Sequence, residues 1–373
     1  MSAASAFTPR CVLITGGAGF IGSNLVRWIL DHDAQARIVN LDLLSYAGNL
    51  ENLTEVAERH GPDGDGRYYF VRGDIRDPDT VAQLLRGYAC ESRPEGGSAR
   101  TTPAVDAVVH LAAESHVDRS IMNPAAFVDT NVRGTATLLD GCRAELAASP
   151  HPFRFVHVST DEVYGSLGPS DPPFTEATPL APNSPYSASK AGADCLVRAY
   201  VETFGLPAIT ARCSNNYGPY QFPEKLIPLT ITRALEDAPV PIYGNGMQVR
   251  DWLHVDDHAA ALWAILTSGH PGQVYNIGGE TQARNLDVVR TVLELLRKPL
   301  SLIRHVPDRP GHDARYAMDV SRLKRQLGWA PRHKLPDGLA ATVEWYLAHR
   351  GWWERVLTEA YRAAATLYLT ERG

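Results

Sequence analysis

The chain has 373 residues, of which 44% are hydrophobic and 21% charged, and its formal net charge at pH 7 is −6. This composition is typical of a globular protein that is long enough for one large α/β domain and a smaller lobe. The negative charge and the lack of a basic block argue against nucleic-acid binding. No apolar run approaches the roughly 18 residues that a membrane span needs.

The cysteines favour a reducing compartment. They are odd in number and show neither CxxC nor Cys/His ligand spacing, so we predict no disulfide framework and no metal site. We therefore expect a cytoplasmic protein whose thiols serve packing. Residues 1–10 are mostly small, lack the apolar core of a signal peptide and are predicted to be flexible. The cysteines are Cys11, Cys90, Cys142, Cys195 and Cys213.

The first predicted unit is a strand, a glycine turn and a helix. The apolar run Cys11–Thr15 leads directly into the glycine-rich segment Gly16–Gly22, and apolar residues then recur at helical spacing. Glycines there would let backbone amides approach a pyrophosphate at the positive end of the helix. A second predicted strand ends at Asp42, an acid suited to a ribose 2′-hydroxyl. Because this acid would repel a 2′-phosphate, we predict NAD rather than NADP.

Further strands alternate with helices. Tyr68–Val71 is predicted as a third strand, and Asp74 and Ile75 behind it could contact adenine. Val105–Leu111 is predicted as a fourth strand. The small residues after it leave room for a cofactor, and Ser115 and His116 are candidates for the substrate side.

The alternation continues with a helix from about Pro124 to Leu139 and a strand that starts at Phe155. It predicts a Rossmann-type doubly wound parallel sheet over residues 1–212. Residues 91–102 have no hydrophobic period and are predicted to be a mobile surface loop. Residues 213–373 are predicted to form mainly a smaller mixed α/β substrate lobe, with some segments returning to the first domain. We expect a strand at Val274–Ile277 within this lobe and a packing helix over Leu335–Tyr346.

Two groups of residues suggest chemistry. The strand from Phe155 ends in Thr160, Asp161 and Glu162, where open α/β sheets bind ligands. Two acids there favour acid/base work, with a solvated turn as the alternative. Tyr186 and Lys190 lie four residues apart on a predicted helix and share a face. An ammonium beside a phenol is expected to lower the phenol's pKa, which would make Tyr186 a base that accompanies hydride transfer.

Together these elements resemble the extended short-chain dehydrogenase/reductases and, within them, the dTDP-glucose 4,6-dehydratases. The resemblance runs nearly from end to end, and the acid pair distinguishes it from the related epimerases. A longer 91–102 loop is the one departure. The matching segments are 16–22, 44–53, 111–120, 159–165, 184–190, 213–226, 250–252 and 308–312.

The resemblance implies a mechanism. Tyr186, assisted by Lys190 and Thr160, would take the proton of the sugar 4-hydroxyl while hydride leaves C4 for NAD. Glu162 would remove the C5 proton, and Asp161 would protonate the departing 6-hydroxyl. Hydride return to C6 would give a 4-keto-6-deoxy sugar, with NAD tightly bound and recycled within each turnover. The alternatives are a nucleotide-sugar 4-epimerase, which does not need the acid pair, and a catalytically silent NAD sensor.

The resemblance also implies the binding residues, a homodimer built through two helices of the first domain, and dTDP-glucose as the substrate, although related enzymes use UDP-, GDP- and CDP-sugars. The implied cofactor residues are Gly16, Gly19, Phe20, Ile21, Gly22, Asp42, Ser45, Asp74, Ile75, Leu111, Ala112, Ala113, Ser115, Thr130, Tyr186, Lys190 and Asn216. The implied substrate residues are Ser115, Thr160, Asn215, Lys225, Leu226, Pro241, Ile242, Tyr243, Arg250, Asn285, Asp308, Arg309 and His312.

Overall fold

A computed structural model describes residues 7–45, 47–87, 89–90 and 100–357. Most of the loop predicted over 91–102 lies outside these residues, as do residues 1–6 of the predicted flexible start. The backbone of 89–90 pairs with that of 100–101 as a short antiparallel ladder. The start of the described chain is hydrogen-bonded to the rest, since the amide of Phe7 donates to the Thr267 carbonyl at 2.8 Å.

The strands are short and follow the apolar runs of the sequence. In chain order, the strands of the described residues are β1 (Cys11–Thr15), β2 (Arg37–Asp42), β3 (Tyr68–Arg72), β4 (Ala89–Cys90), β5 (Arg100–Thr101), β6 (Ala107–His110), β7 (Arg154–Thr160), β8 (Ala208–Cys213), β9 (Asn215–Tyr217), β10 (Val240–Tyr243), β11 (Val249–His254), β12 (Val274–Ile277), β13 (Gln282–Arg284) and β14 (Ile303–Val306).

Helices alternate with the strands in the first half of the chain and are more irregularly spaced in the second. In chain order they are α1 (Phe20–His32), α2 (Thr54–His60), α3 (Pro78–Arg86), α4 (Val117–Met122), α5 (Pro124–Phe127), α6 (Gly134–Ala148), α7 (Pro185–Phe204), α8 (Leu226–Leu235), α9 (Val255–Ser268), α10 (Asn285–Leu295), α11 (Ser321–Leu327), α12 (Leu335–Ala348) and α13 (Arg350–Val356).

Seven strands form one central sheet in the order β12-β8-β7-β6-β1-β2-β3, and every neighbouring pair in it is parallel. The order reverses direction at β1, and the crossover helices lie on both faces. The predicted doubly wound Rossmann-type sheet is therefore confirmed. In such a sheet the ligand cleft lies outside the carboxyl ends of the strands where the order reverses.

The two faces of the sheet carry separate apolar cores, because successive strand side chains point to opposite sides. Val12 and Ile14 of β1 pack with apolar residues of α1 and α9 in one cluster. Leu13, on the same strand, packs with residues of α3, α6 and α7 in the other. This double burial explains why the strands read as continuous β-branched runs rather than alternating ones.

Two local predictions need correction. The strand at Val274–Ile277 exists, but its predicted place in the smaller lobe is wrong, because it pairs with β8 at the edge of the central sheet. The helix predicted over 124–139 reaches Ala148 and is interrupted by a π-helical segment, Val128–Arg133. The chain therefore leaves the central sheet after β8 and returns to it as β12.

The rest of the second half forms smaller layers beside the carboxyl ends of the sheet. β9, β11 and β13 make a three-stranded sheet, and β10 pairs with β14. A third apolar cluster gathers residues of α8, α10, α12 and α13. These contacts support the division that we propose, with a substrate lobe over 213–373 from which α9 and β12 return to the first domain. Within the described part of the chain, none of the helices is both long and apolar enough to cross a bilayer.

Candidate active site

The glycine turn between β1 and α1 is a place of close backbone approach. Gly16 has a φ of +74°, and a Cβ on it would lie 2.8 Å from the backbone nitrogen of Ala112. A Cβ on Gly22 would lie 2.2 Å from the carbonyl oxygen of Gly16. Side chains at either position would therefore break the turn. The intact turn leaves backbone amides free to face a ligand at the start of α1.

This turn forms one wall of a cavity of about 440 Å³. The structure places every residue expected to bind the cofactor on the walls of this cavity, from the glycine turn through Asp42 and Ser45 to Thr130 and Asn216. We call it the cofactor cavity. Its length, from the end of β2 to Tyr186, and its glycine cradle fit a dinucleotide.

Two acids, one at the end of β2 and one just after β3, line the end of the cofactor cavity away from Tyr186. The carboxylate of Asp42 accepts hydrogen bonds from the amides of Ala18 at 2.9 Å and Leu44 at 2.8 Å. Both oxygens keep a second acceptor position, which suits two ribose hydroxyls. Asp74 instead pairs with Arg76 at 2.6 Å, which lowers the carboxyl pKa of Asp74 against the effect of its burial. The side chain of Asp74 therefore holds Arg76 at the cavity wall.

The carboxyl end of β7 delivers the acid pair. Thr160 is the N-cap of a 3₁₀ turn, Asp161–Tyr164, and its hydroxyl accepts from the Glu162 amide at 3.3 Å. The same hydroxyl donates to Oδ1 of Asp161 at 3.2 Å. Asp161 is buried, whereas Glu162 reaches both the cofactor cavity and a second cavity. Glu162 is thus fixed at the point where the two cavities meet, with Asp161 beside it on the wall of the cofactor cavity.

The second candidate catalytic element is α7. Ser184 and Ser187 cap its start reciprocally and a proline occupies its first turn, which fixes where the helix begins. Tyr186 and Lys190 both face the cofactor cavity. Lys190 is buried, and its Nζ donates to the Val158 carbonyl at 2.8 Å. Burial lowers the pKa of Lys190 to about 8.

The predicted lowering of the Tyr186 pKa is wrong for the protein alone. Burial raises this pKa well above its ordinary value, and the nearby charges of Glu162 and Asp161 raise it further, while a hydrogen bond with Thr160 acts in the opposite direction. The prediction from sequence took account only of the Lys190 ammonium, which lies on the same helix as Tyr186. The acids that oppose it come from a different element.

The environments of the two acids differ in charge. Burial raises the pKa of Asp161 well above its ordinary value, and the charges of Glu162 and Asp251 raise it further. Burial also raises the pKa of Glu162, but Arg309, Arg250 and Lys225 act to lower it. The charges around the two acids therefore favour the proton on Asp161 and the carboxylate on Glu162.

The second cavity has a volume of about 220 Å³ and shares Glu162, Asn215, Glu224 and Lys225 with the cofactor cavity. We call it the substrate cavity. Ser115 and Thr160 face the cofactor cavity, and Asp308 lines neither cavity. Asp308 instead bonds His312 Nδ1 at 2.6 Å and holds that ring in place. The remaining predicted substrate residues line the substrate cavity: Asn215, Lys225, Leu226, Pro241, Ile242, Tyr243, Arg250, Asn285, Arg309 and His312.

The substrate cavity is lined by cations and by unused polar atoms. The Oδ1 atoms of Asn215 and Asn285 and the Nε of Arg309 are buried without a hydrogen-bond partner among the described residues. Arg250 is also buried, with its Nη2 donating to the Asp313 carbonyl at 2.9 Å. Unpaired buried polar groups are costly, so a polar and anionic ligand suits this lining.

Sequence reasoning missed part of this lining. Tyr316 borders the substrate cavity, lies under the Arg250 guanidinium at 4.2 Å and donates to Asp313 at 2.5 Å. Glu224 borders both cavities and lies 3.6 Å from Nε2 of His116. Glu224 falls within the matched segment 213–226, which was a signal that could have found it. Tyr316 had no comparable pattern.

A group with metal-ligand chemistry lies elsewhere. Possible ligand atoms of His254, Asp256 and His333 lie within 4.8 Å of one another. The two imidazole rings are stacked at 4.0 Å, so their in-plane lone pairs do not converge, and Nδ1 of His254 accepts from the Asp256 amide at 3.3 Å. None of the three lines either cavity. We assign this group to packing.

The parallel sheet, the glycine cradle and the Tyr186–Lys190 pair on one cavity wall define an NAD-binding enzyme of the extended short-chain dehydrogenase/reductase class. Comparison with known proteins gives the same class. The family model described as GDP-mannose 4,6 dehydratase matches residues 13–342. The chain therefore belongs to that family and, within it, to the dTDP-glucose 4,6-dehydratases, as the following relatives show.

A dTDP-glucose 4,6-dehydratase of Neisseria meningitidis serogroup B is 51% identical over 368 residues, which cover 95% of this chain and 98% of that protein. The structure of the dTDP-glucose 4,6-dehydratase DesIV from Streptomyces venezuelae, with NAD and TYD bound, is 46% identical with a TM-score of 0.83, covering 93% of this chain and 99% of that chain. The NAD complex of Thermus thermophilus UDP-glucose 4-epimerase is 29% identical, with a TM-score of 0.77 and coverage of 91% and 99%.

Proposed function

We propose that this chain catalyses the NAD-dependent dehydration of dTDP-glucose to dTDP-4-keto-6-deoxyglucose, which makes it a carbon–oxygen lyase. The observation that carries the proposal is the acid pair. Glu162 stands where the cofactor and substrate cavities meet, and Asp161, its neighbour on the same turn, lines the cofactor cavity together with Tyr186. Dehydration needs an acid and a base at neighbouring carbons of the sugar, and simple oxidation or epimerisation does not.

The first step is proton transfer at the sugar 4-hydroxyl, which we assign to Tyr186. Bound NAD would supply the hydride acceptor for C4 and later the hydride donor for C6, at which point Glu162 would return the proton to C5. The raised pKa of Tyr186 keeps its hydroxyl protonated at rest, so Tyr186 has to release that proton to solvent before it can accept the one from the 4-hydroxyl. The hydrogen bond with Thr160 favours the phenolate, and we assign the same effect to the positive charge of Lys190 one turn further along α7.

The second step is the loss of water across C5 and C6. A ketone at C4 makes the C5 proton acidic, and we assign Glu162 as the base that removes it. Three cations lower the Glu162 pKa against its burial, which keeps the carboxylate available. Asp161, whose burial keeps it protonated, would give its proton to the departing 6-hydroxyl. Burial raises both pKa values, but the neighbouring acids raise that of Asp161 further whereas the three cations oppose the rise for Glu162, as these roles require.

The substrate cavity would hold the nucleoside diphosphate. The planar forked donors of Arg250 and Arg309 match diphosphate oxygens. Lys225 lies between the cavities, with its Nζ donating to the Ser115 carbonyl at 3.3 Å, so it can approach the ligand near the sugar. The unpaired amide oxygens of Asn215 and Asn285 offer acceptors for hydroxyl or base N–H groups.

The deciding experiment gives the purified protein dTDP-glucose without added NAD and identifies the product by mass spectrometry. A nucleotide sugar that is lighter by one water, with no net accumulation of reduced cofactor, is the expected result. An unchanged mass with inverted configuration at C4 would indicate the epimerase alternative and leave the acid pair without its role. No conversion of dTDP-, UDP-, GDP- or CDP-glucose would indicate a silent NAD-binding protein.

We also propose a homodimer that is formed through the helices on one face of the first domain. Large apolar side chains are exposed there: Met122 of α4 at 77%, Val128 of the π-helical segment at 54% and Phe204 of α7 at 51%. Two copies could pack such helices as a four-helix bundle. Light scattering after gel filtration is expected to give twice the chain mass, and the monomer mass would contradict the proposal.

A cytoplasmic location is proposed on the state of the thiols. Cys11, Cys142 and Cys213 are buried and free, and Cys195 is exposed and free. An exposed thiol without a partner is more often found where thiols are kept reduced. Cell fractionation is expected to recover the protein with cytoplasmic markers, and recovery with exported proteins would refute this location.

A further inference from the structure

The reaction of the proposed function needs two catalytic units that belong to different parts of the chain. One unit, Tyr186 and Lys190, lies on α7. The other, Asp161 and Glu162, lies on the 3₁₀ turn behind β7. They act on adjacent carbons of one sugar, so their separation has to stay constant during turnover. Misplacement by about 1 Å is enough to cost about a hundredfold in rate.

A chain of buried hydrogen bonds connects α7 to the turn that carries Asp161 and Glu162. The first half of this connection starts on α7. Asp194 follows Lys190 by one helical turn and is buried. Its Oδ2 accepts from the Nε of Arg212, on β8, at 2.8 Å. Its Oδ1 lies 3.2 Å from Nε2 of His157, on β7. Arg212 thereby ties α7 to the strand that lies beside β7 in the central sheet.

The second half reaches the acid-bearing turn. Nη1 of Arg212 donates to the hydroxyl of Tyr164 at 2.9 Å, and the guanidinium lies 4.8 Å from the centre of the Tyr164 ring. Tyr164 is the last residue of the turn that carries Asp161 and Glu162. Its hydroxyl in turn donates to Oδ1 of Asn276, on β12, at 2.7 Å.

The fixed fork of Arg212 suits this connection. One guanidinium bonds Asp194 through Nε and Tyr164 through Nη1, so the two bonds leave a rigid plane in fixed directions. All three side chains are buried, and buried charge-assisted bonds are strong and directional. Neither Arg212 nor Tyr164 lines either cavity, so the connection does not itself contact the ligands.

We propose that Arg212 and Tyr164 are positioning residues that hold the acid pair at a fixed distance from the Tyr186–Lys190 pair. The proposal rests on the proposed function, because it concerns the order of that enzyme's steps. Loss of the connection would leave oxidation at C4 intact, since α7 keeps its own contacts with the cofactor cavity. Elimination across C5 and C6 would slow, because the acid-bearing turn would sample positions away from the sugar.

The test uses Tyr164→Phe in the enzyme with its bound NAD. This change removes the hydroxyl that bonds Arg212 and Asn276 and leaves the ring, which stacks on Phe174 at 4.9 Å. The matched control is Tyr275→Phe on β12. Tyr275 is also buried, and its hydroxyl bonds Gln326 at 2.9 Å outside the connection. Substrates deuterated at C4 or at C5 report which step limits turnover.

For Tyr164→Phe we expect kcat to fall about tenfold with KM unchanged. The isotope effect from C5 deuterium should grow, that from C4 deuterium should approach unity, and reduced nicotinamide absorbance should accumulate during turnover. Tyr275→Phe should change none of these. Equal isotope effects in wild type and Tyr164→Phe, or the same losses in both variants in proportion to a lower Tm, would overturn the proposal.

A second variant separates charge from connection. Arg212→Lys keeps a positive charge beside Asp194 but cannot bond Asp194 and Tyr164 from one planar group. It is expected to repeat the isotope pattern of Tyr164→Phe. A wild-type isotope pattern in a folded Arg212→Lys enzyme would overturn the proposed positioning role of the connection. Failure of the proposed function itself would be visible separately, since wild type would then form no dehydrated product.

Discussion

Replacing Lys190 by Met is predicted to make the protein more stable and catalytically defective. Lys190 is buried, and its pKa falls from 10.5 to about 8. That difference corresponds to about 3 kcal/mol of unfavourable free energy for the folded state at pH 7. The Met variant escapes this cost and fills a similar volume. It loses the hydrogen bond to the Val158 carbonyl, which costs about 1 kcal/mol. We therefore expect a net gain of about 2 kcal/mol at pH 7.

The sign of the pH dependence follows from the lowered pKa. Below pH 8 the folded and unfolded chains both carry the Lys190 proton, so the cost of the buried charge is complete. Between pH 8 and 10.5 the unfolded chain binds more protons, so the stability of wild type rises with pH. The advantage of Lys190→Met should therefore shrink by about 2 kcal/mol between pH 7 and pH 9.5.

The assay is urea unfolding at both pH values, on protein freed of nucleotide, because a bound cofactor would stabilise the two proteins to different extents. The difference between variants at each pH cancels the other titrating groups. Lys324→Met is the control, since Lys324 pairs with Glu280 at the surface and such pairs contribute about 0–1 kcal/mol. A Lys190→Met protein that is less stable than wild type at pH 7, or an advantage that does not change with pH, would refute the reasoning.

Three further outcomes are expected. Glu162→Gln should retain NAD binding and oxidation at C4 but form no dehydrated product, and full turnover by mass spectrometry would remove Glu162 from the mechanism. Gly22→Ala places a Cβ 2.2 Å from the Gly16 carbonyl. Since overpacking costs about 1–3 kcal/mol, the NAD affinity measured by calorimetry should fall about tenfold. The control Gly192→Ala, whose Cβ meets only a side-chain methyl at 3.4 Å, should keep the NAD affinity of wild type. Trp353→Ala, at a buried position of α13, should lower the unfolding free energy by about 3–5 kcal/mol, and a change below 1 kcal/mol in urea unfolding would contradict this packing.

Much of the fold could be predicted because its signals are local. The bounds of β1 and β12 agree with the apolar runs, and the glycine turn occupies the predicted place, because strand content and turn conformation depend on neighbouring residues. The place of β12 could not be predicted in the same way. Its pairing with β8 joins segments about 60 residues apart, and a short apolar run does not indicate which sheet it will join.

The site was predictable to the extent that its residues sit at strand ends or share a helical face. Tyr186 and Lys190 came from spacing on one helix. The raised pKa of Tyr186 could not be predicted from that spacing, because burial and the acids of another element cause it. Asp308 shares its segment with Arg309 and His312, yet it bonds His312 rather than facing a cavity. Side-chain direction within a loop is set by tertiary contacts that spacing does not encode.

The adjacency of Asp161 and Glu162 becomes intelligible in the 3₁₀ turn. With three residues per turn, successive side chains point about 120° apart, so two neighbouring acids necessarily enter different surroundings. Asp161 turns inward toward Asp251, a buried acid whose own pKa is raised to about 7 mainly by burial. Glu162 turns outward toward Arg309 and the cavity junction. A regular α-helix or strand would also separate neighbours, but here the turn is capped by Thr160 at the end of a buried strand, which sets Asp161 inside the protein and Glu162 at the junction of the two cavities. The different surroundings on which we base the acid and base roles thus follow from local backbone geometry combined with the charges that each direction meets.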